Sequence, residues 1–145
     1  MEGLILPKQY SNFLLGTSQT IFLSGLVALH EGHYHLIHVP FGVWACSVLF
    51  WSHPTYSWRR TLDIGYVHCA FLYQGYMVWN AENMATYLFL QVMAVTSFFV
   101  AVYLYRQRHL DYYSYAHGLL HIFASIGNIY VYLGHIPRHP WPKLL

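Results

Sequence analysis

Charged side chains are confined to short segments that separate five long apolar runs, and this spacing restricts the fold more than any other feature. Of the 145 residues, only 8% are Asp, Glu, Lys or Arg, while 57% are hydrophobic. An ordinary soluble domain carries about 25% charged residues. Apolar runs of about 20 residues have the length of a helix that crosses a bilayer. The sequence therefore predicts an all-α, polytopic transmembrane helical bundle with no soluble domain.

Five predicted spans use up the chain, so residues 1–145 are expected to form a single transmembrane domain. The predicted spans are roughly residues 12–29, 38–52, 62–79, 84–105 and 112–134. Pro54 disfavours helix at His53 and ends the second span. Ser18, Gln19 and Thr20 in the first span are polar, so we expect them to face protein rather than lipid.

Basic residues divide unevenly between the two sides of such a bundle. One side receives Lys8, Arg59, Arg60, Arg106 and Arg108, and the other receives Arg138 and Lys143. The positive-inside rule then places the N-terminus on the cytoplasmic or matrix side of an organelle that the sequence does not identify. We expect neither a cleavable signal nor a transit peptide, because the N-terminus lacks their basic or Arg- and Ser-rich patterns. The net charge of +2 argues against nucleic acid as a partner and leaves the lipid bilayer.

Histidine is unusually frequent, with 11 residues against seven Lys and Arg. His117 and His121 are spaced i, i+4 in the last span, so they share one helix face and can share a metal. His53 ends the second span and Asp63 opens the third, on the side where the His pair lies roughly 9 to 15 Å deep. The sequence thus predicts a zinc site of three imidazoles near one membrane face. Asp63 would orient a histidine or take the proton of a zinc-bound water.

The last span also carries a family resemblance. The pattern His-x-x-x-His-Ile-Phe-Ala-Ser-Ile-Gly-Asn from His117 resembles the final helix of alkaline ceramidases, and more broadly the CREST group of membrane hydrolases. The stretch from Ser47 through His53 to Asp63 resembles a second block of that family. The resemblance implies that His53, His117 and His121 bind zinc and that Ser47 and Asp63 act beside it. It also implies hydrolysis of a lipid amide; the family has seven spans, so a homo-oligomer would be one way to rebuild the substrate cavity.

Two other functions fit the same sequence. A short five-span protein with 14 Tyr and five Trp suits a non-catalytic accessory subunit of a larger membrane complex, with its rings at lipid and protein interfaces. Alternatively, His68 and His117 lie at equal depth on two spans, which is the arrangement that bis-His haem ligation requires.

The segment between the first two spans is rich in histidine. It contains His30, Glu31, His33, His35 and His38. We predict an interfacial loop, because half-polar rings are well placed at headgroup depth, with metal binding as the alternative. The two cysteines, Cys46 and Cys69, lie in apolar runs and are expected to be small core residues rather than a disulfide.

Overall fold

A computed structural model describes residues 4–138 of the chain. Within this part the chain forms five α-helices and no strand, which confirms the all-α fold. The helices are α1 (Lys8–His30), α2 (His38–Trp51), α3 (Trp58–Met77), α4 (Met84–Arg106) and α5 (Leu110–Leu133). The first three residues and the Pro-rich tail from residue 139, including Lys143, lie outside the described residues.

Two of the five helices have the length and composition of a membrane span. They are α1 and α4, each 23 residues long. The apolar helix α2 has only 14 residues. Among residues 4–138, no other helix meets both conditions, so length and composition support two of the five predicted spans.

Local signals place the helix ends. Pro7 precedes the first residue of α1, a position where its missing N–H costs no hydrogen bond. Gly32, with φ +76°, lies in the turn after α1. After Pro54, Ser57 adopts an extended conformation (φ −136°, ψ 175°) immediately before α3. For this reason α3 begins at Trp58, earlier than the sequence predicts.

The helices pack in the order α3, α2, α1, α5, α4. Each contacts its neighbours in that order, so α1 and α5 are central, whereas α3 and α4 are outermost. Small apolar clusters close the two ends of the bundle. One contains Leu6, Leu14, Phe50 and Trp51, and the other includes Leu36, Val78 and Tyr132. The histidine pair predicted on α5 therefore lies at the central α1–α5 interface.

On α4, small and polar side chains make up most of the buried face, while most large apolar side chains are exposed. Along α4 the buried residues are Tyr87, Gln91, Ala94, Ser97 and Ala101. The exposed residues of the same helix include Leu88, Phe89, Val92, Val95, Phe98, Phe99 and Tyr103. Close helix approach explains the small residues: a Cβ added at Gly118 of α5 would lie 2.9 Å from the ring of Phe13 on α1.

Two expectations about individual side chains are corrected by the fold. Ser18 is buried, and the Thr20 hydroxyl lies 3.0 Å from the Ser125 hydroxyl, so both residues face protein as expected. Gln19, in contrast, is exposed and accepts a hydrogen bond from Trp44 Nε1 at the surface of α1 and α2. Both cysteines have free thiols, yet Cys69 is exposed rather than in the core. The reason is that α2 is the one helix whose backbone comes close to that of α3, so most of the circumference of α3 is uncovered.

Candidate functional site

His117 and His121 lie side by side on α5. Their ring centroids are 5.1 Å apart and their planes are almost perpendicular, at 87°. His121 is only 4% exposed, and its Nδ1 lies 2.9 Å from Thr17 Oγ1 on α1. The Thr17 hydroxyl can donate to Leu14 O, 3.1 Å away, and in that arrangement it accepts from Nδ1–H. This leaves Nε2 as the unprotonated nitrogen of His121, the atom available to a metal or a proton.

Aromatic side chains surround His117. The ring of Trp51, the last residue of α2, lies 5.1 Å from the His117 ring, and that of Tyr113 lies 5.7 Å away. The buried Nε1–H of Trp51 has no hydrogen-bond acceptor among the described residues. An unsatisfied buried donor costs about 1–3 kcal/mol, so an acceptor bound beside His117 would be stabilised there.

Ser47 and Asp63 form a second pair, between α2 and α3. The buried Ser47 hydroxyl donates to Asp63 Oδ1 at 3.0 Å, and Asp63 is half-buried. Ser47 precedes Trp51 by one helical turn, so the two side chains leave the same face of α2. The two residues predicted to act beside zinc are therefore hydrogen-bonded to each other. Ser47 lies one turn along α2 from Trp51, whose ring contacts His117.

His53 does not join these pairs in the described structure. It is exposed, beyond the end of α2, with its backbone N–H bonded to Phe50 O. Across residues 4–138, no group of three or more His, Cys, Asp or Glu side chains is arranged to hold a metal ion. The structure brings together His117 with His121, and Ser47 with Asp63. The three-histidine zinc site stays a prediction.

The other histidines have separate surroundings. His68, the predicted haem partner of His117, is exposed on α3, with its Nδ1 2.6 Å from Ile64 O. In the segment between α1 and α2, His33 Nε2 lies 2.9 Å from Tyr132 O, and His30 lies 3.8 Å from Glu31. Partial burial lowers the pKa of His35, and the nearby His33 lowers it further. Haem ligation and metal binding by the loop also stay predictions.

A buried amide network, which sequence analysis missed, joins α3, α4 and α5. Gln74 is 1% exposed; its Nε2 donates to Asn128 Oδ1 at 2.7 Å, and its Oε1 accepts from Tyr132 Oη at 2.9 Å. Gln91 Nε2 also reaches Asn128 Oδ1, at 3.3 Å. The signal that might have found it is the presence of Gln and Asn inside apolar runs, since such residues bond across helices in membranes.

No protein-family model, no curated protein and no solved structure matches this chain.

Proposed function

We propose that the chain is a multi-pass integral membrane protein. The observation that carries this proposal is the distribution of side chains on α4 and α5, where most buried residues are Ser, Ala, Gly, Gln or His and most exposed ones are large and apolar. Helices associate in bilayers through small residues and interhelical hydrogen bonds, because lipid tails remove the drive to bury large apolar groups. The two long apolar helices, α1 and α4, support the same proposal.

Within the membrane, we propose that the protein is a non-catalytic accessory subunit of a larger assembly. Support comes from α3, in which only Ala70 and Gln74 of its twenty residues are buried. The exposed surface of this helix mixes large apolar groups with His68 and Cys69. A surface of mixed polarity suits contact with another protein better than contact with lipid tails alone.

Cys69 offers a direct test, because its thiol is exposed on α3, whereas that of Cys46 is half-buried on α2. The two single-cysteine variants, Cys46→Ser and Cys69→Ser, would be labelled in native membranes with a thiol-reactive photo-crosslinker. We expect the variant that keeps Cys69 to crosslink to another polypeptide and the variant that keeps Cys46 to do so far less. Mass spectrometry of the product separates a different protein from a second copy. Crosslinks to lipid alone would rule out the proposed protein contact.

A zinc-dependent lipid-amide hydrolase is the second candidate. It is favoured by the contact of His117 with His121 and by the Ser47–Asp63 hydrogen bond, which bring four of the five predicted site residues into two pairs. A zinc ion needs at least three protein ligands in a catalytic site, and His53 is the predicted third. Zinc bound there would activate a water molecule for hydrolysis.

Metal analysis of the purified protein tests this candidate. About one zinc per chain is expected, with loss of zinc in His117→Ala and in His53→Ala. His109→Ala is the matched control, since His109 is exposed immediately before α5 and belongs neither to the pairs nor to the histidine-rich segment. Wild-type protein free of zinc after purification without chelators would remove the hydrolase candidate and leave the accessory subunit.

A further inference from the structure

A cleft of about 330 Å³ lies where the start of α1 meets the start of α5. Its volume falls at the lower end of the range for small-molecule sites, about 300–1,000 Å³. The lining residues are Gln9, Tyr10, Phe13, Asp111, Ser114 and Tyr115. None of them belongs to the histidine pair or to the Ser47–Asp63 pair, so the cleft is a separate feature.

Three aromatic rings line this cleft. The rings of Phe13 and Tyr115 pack edge to face, with centroids 5.6 Å apart and planes at 86°. Tyr10 supplies the third ring, from the first turns of α1. The absence of a side chain at Gly118 leaves room for Phe13, because an added Cβ would lie 2.9 Å from its ring. Aromatic rings that present their faces to a cation within about 6 Å form the cages that bind quaternary ammonium groups.

A single carboxylate gives the cleft its charge. Asp111 is exposed in the first turn of α5 and lines the cleft together with Tyr10. Among residues 4–138, no Lys or Arg side chain lies within ion-pair distance of Asp111. Its position at a helix N-terminus accounts for an acidic residue there, through the helix dipole. The helix dipole does not explain why three aromatic rings line the same cleft as Asp111.

We propose that this cleft binds an alkylammonium group, either the choline-type headgroup of a membrane lipid or a free quaternary amine. The rings would contact the cation through their faces, and Asp111 would balance its charge. The cleft lies at the same end of the bundle as Lys8, which is where the proposed membrane position puts lipid headgroups. The proposal goes beyond the accessory-subunit function and does not depend on any metal.

The test compares lipids that share acyl chains but differ in headgroup. Purified full-length protein would be mixed with equal amounts of phosphatidylcholine and phosphatidylglycerol, and retained lipid measured by native mass spectrometry. We expect about fivefold preference for phosphatidylcholine in the wild type. The preference should disappear in Asp111→Asn and in Tyr115→Leu, and remain in Tyr115→Phe, which keeps the ring. Glu31→Gln, which removes a carboxylate outside the cleft, is the matched control.

Titration with tetramethylammonium separates the two sources of the cation. If it displaces phosphatidylcholine, the headgroup is the ligand. If it binds in an Asp111-dependent manner while the protein shows no lipid preference, the ligand is a free amine. Equal retention of both lipids together with no Asp111-dependent binding of tetramethylammonium would overturn the proposal. Thermal unfolding in detergent would verify that each variant is folded. If Asp111→Asn is unstable, the comparison of Tyr115→Phe with Tyr115→Leu still tests the proposal, because these variants differ in the aromatic ring.

Discussion

At the scale of single residues, the spacing of His117 and His121 predicted a shared helix face, and their ring contact at 5.1 Å agrees with this. The partners of these rings were not predictable. Thr17 and Trp51 come from other helices, and no periodicity within α5 indicates which side chains face it. The same limit applies to Gln74, whose two partners lie on α5.

Thr17→Val tests the hydrogen bond to His121. The substitution preserves shape but leaves Nδ1–H of a buried imidazole without its acceptor. We expect the free energy of unfolding in detergent to fall by about 1 kcal/mol, since interhelical hydrogen bonds in membrane proteins contribute little more than that.

Thr96→Val is the matched control for this experiment. Thr96 is exposed on α4 and bonds only to Val92 O of its own helix, so we expect a change within about 0.5 kcal/mol. Equal effects of the two substitutions would mean that the Thr17–His121 contact adds no measurable stability.

At the scale of helices, the long apolar runs and proline positions predicted all five helices and placed most of their ends within a turn. The same features predict less well which helices cross a membrane, because α2 is short and α3 is partly polar. Helix contacts depend on small residues whose role is visible only in three dimensions. Gly25 on α1 is one of these, since the ring of Phe41 from α2 occupies the space where its side chain would be.

Gly25→Ala is expected to destabilise the contact between α1 and α2. The new Cβ would lie 2.7 Å from Phe41 Cε1, so the ring or the helices must move. Overpacking of this kind costs about 1–3 kcal/mol, measurable by unfolding in detergent.

Gly16→Ala on the same helix provides the comparison. Nothing lies within 4 Å of a Cβ added at Gly16, so alanine should be neutral or stabilise the helix by about 0.5–1 kcal/mol. If both substitutions destabilise the protein alike, the loss reflects α1 itself and not its contact with α2.

At the scale of the whole molecule, the packing order of the helices could not be predicted. Every helix of the bundle carries apolar residues on several sides, so hydrophobic pattern alone does not select its neighbours. The order instead follows from where small and polar residues interrupt the apolar surface, as at Gly118 and Ser125 on α5.

The five spans predicted from the sequence have a testable consequence for the two ends of the chain. An odd number of crossings puts the termini on opposite sides of the membrane, with the N-terminus on the side of Arg59 and Arg106. Protease protection of N- and C-terminal tags in sealed vesicles should therefore give opposite results. Both tags on one side would mean that a helix does not cross, and α2, with its 14 residues, would be the first to examine.

The position of α5 between α1 and α4 has a consequence for synthesis. Of the five described helices, α5 leaves the ribosome after the other four, yet α1 and α4 both pack against it. Before α5 is present, the hydroxyls of Thr17 and Thr20 can donate to Leu14 O and Thr17 O of their own helix. The face of α1 that later contacts α5 then exposes no unsatisfied hydroxyl. A chain that ends before α5 would thus have no unsatisfied hydroxyl on this face of α1, but α1 and α4 would have no helix between them.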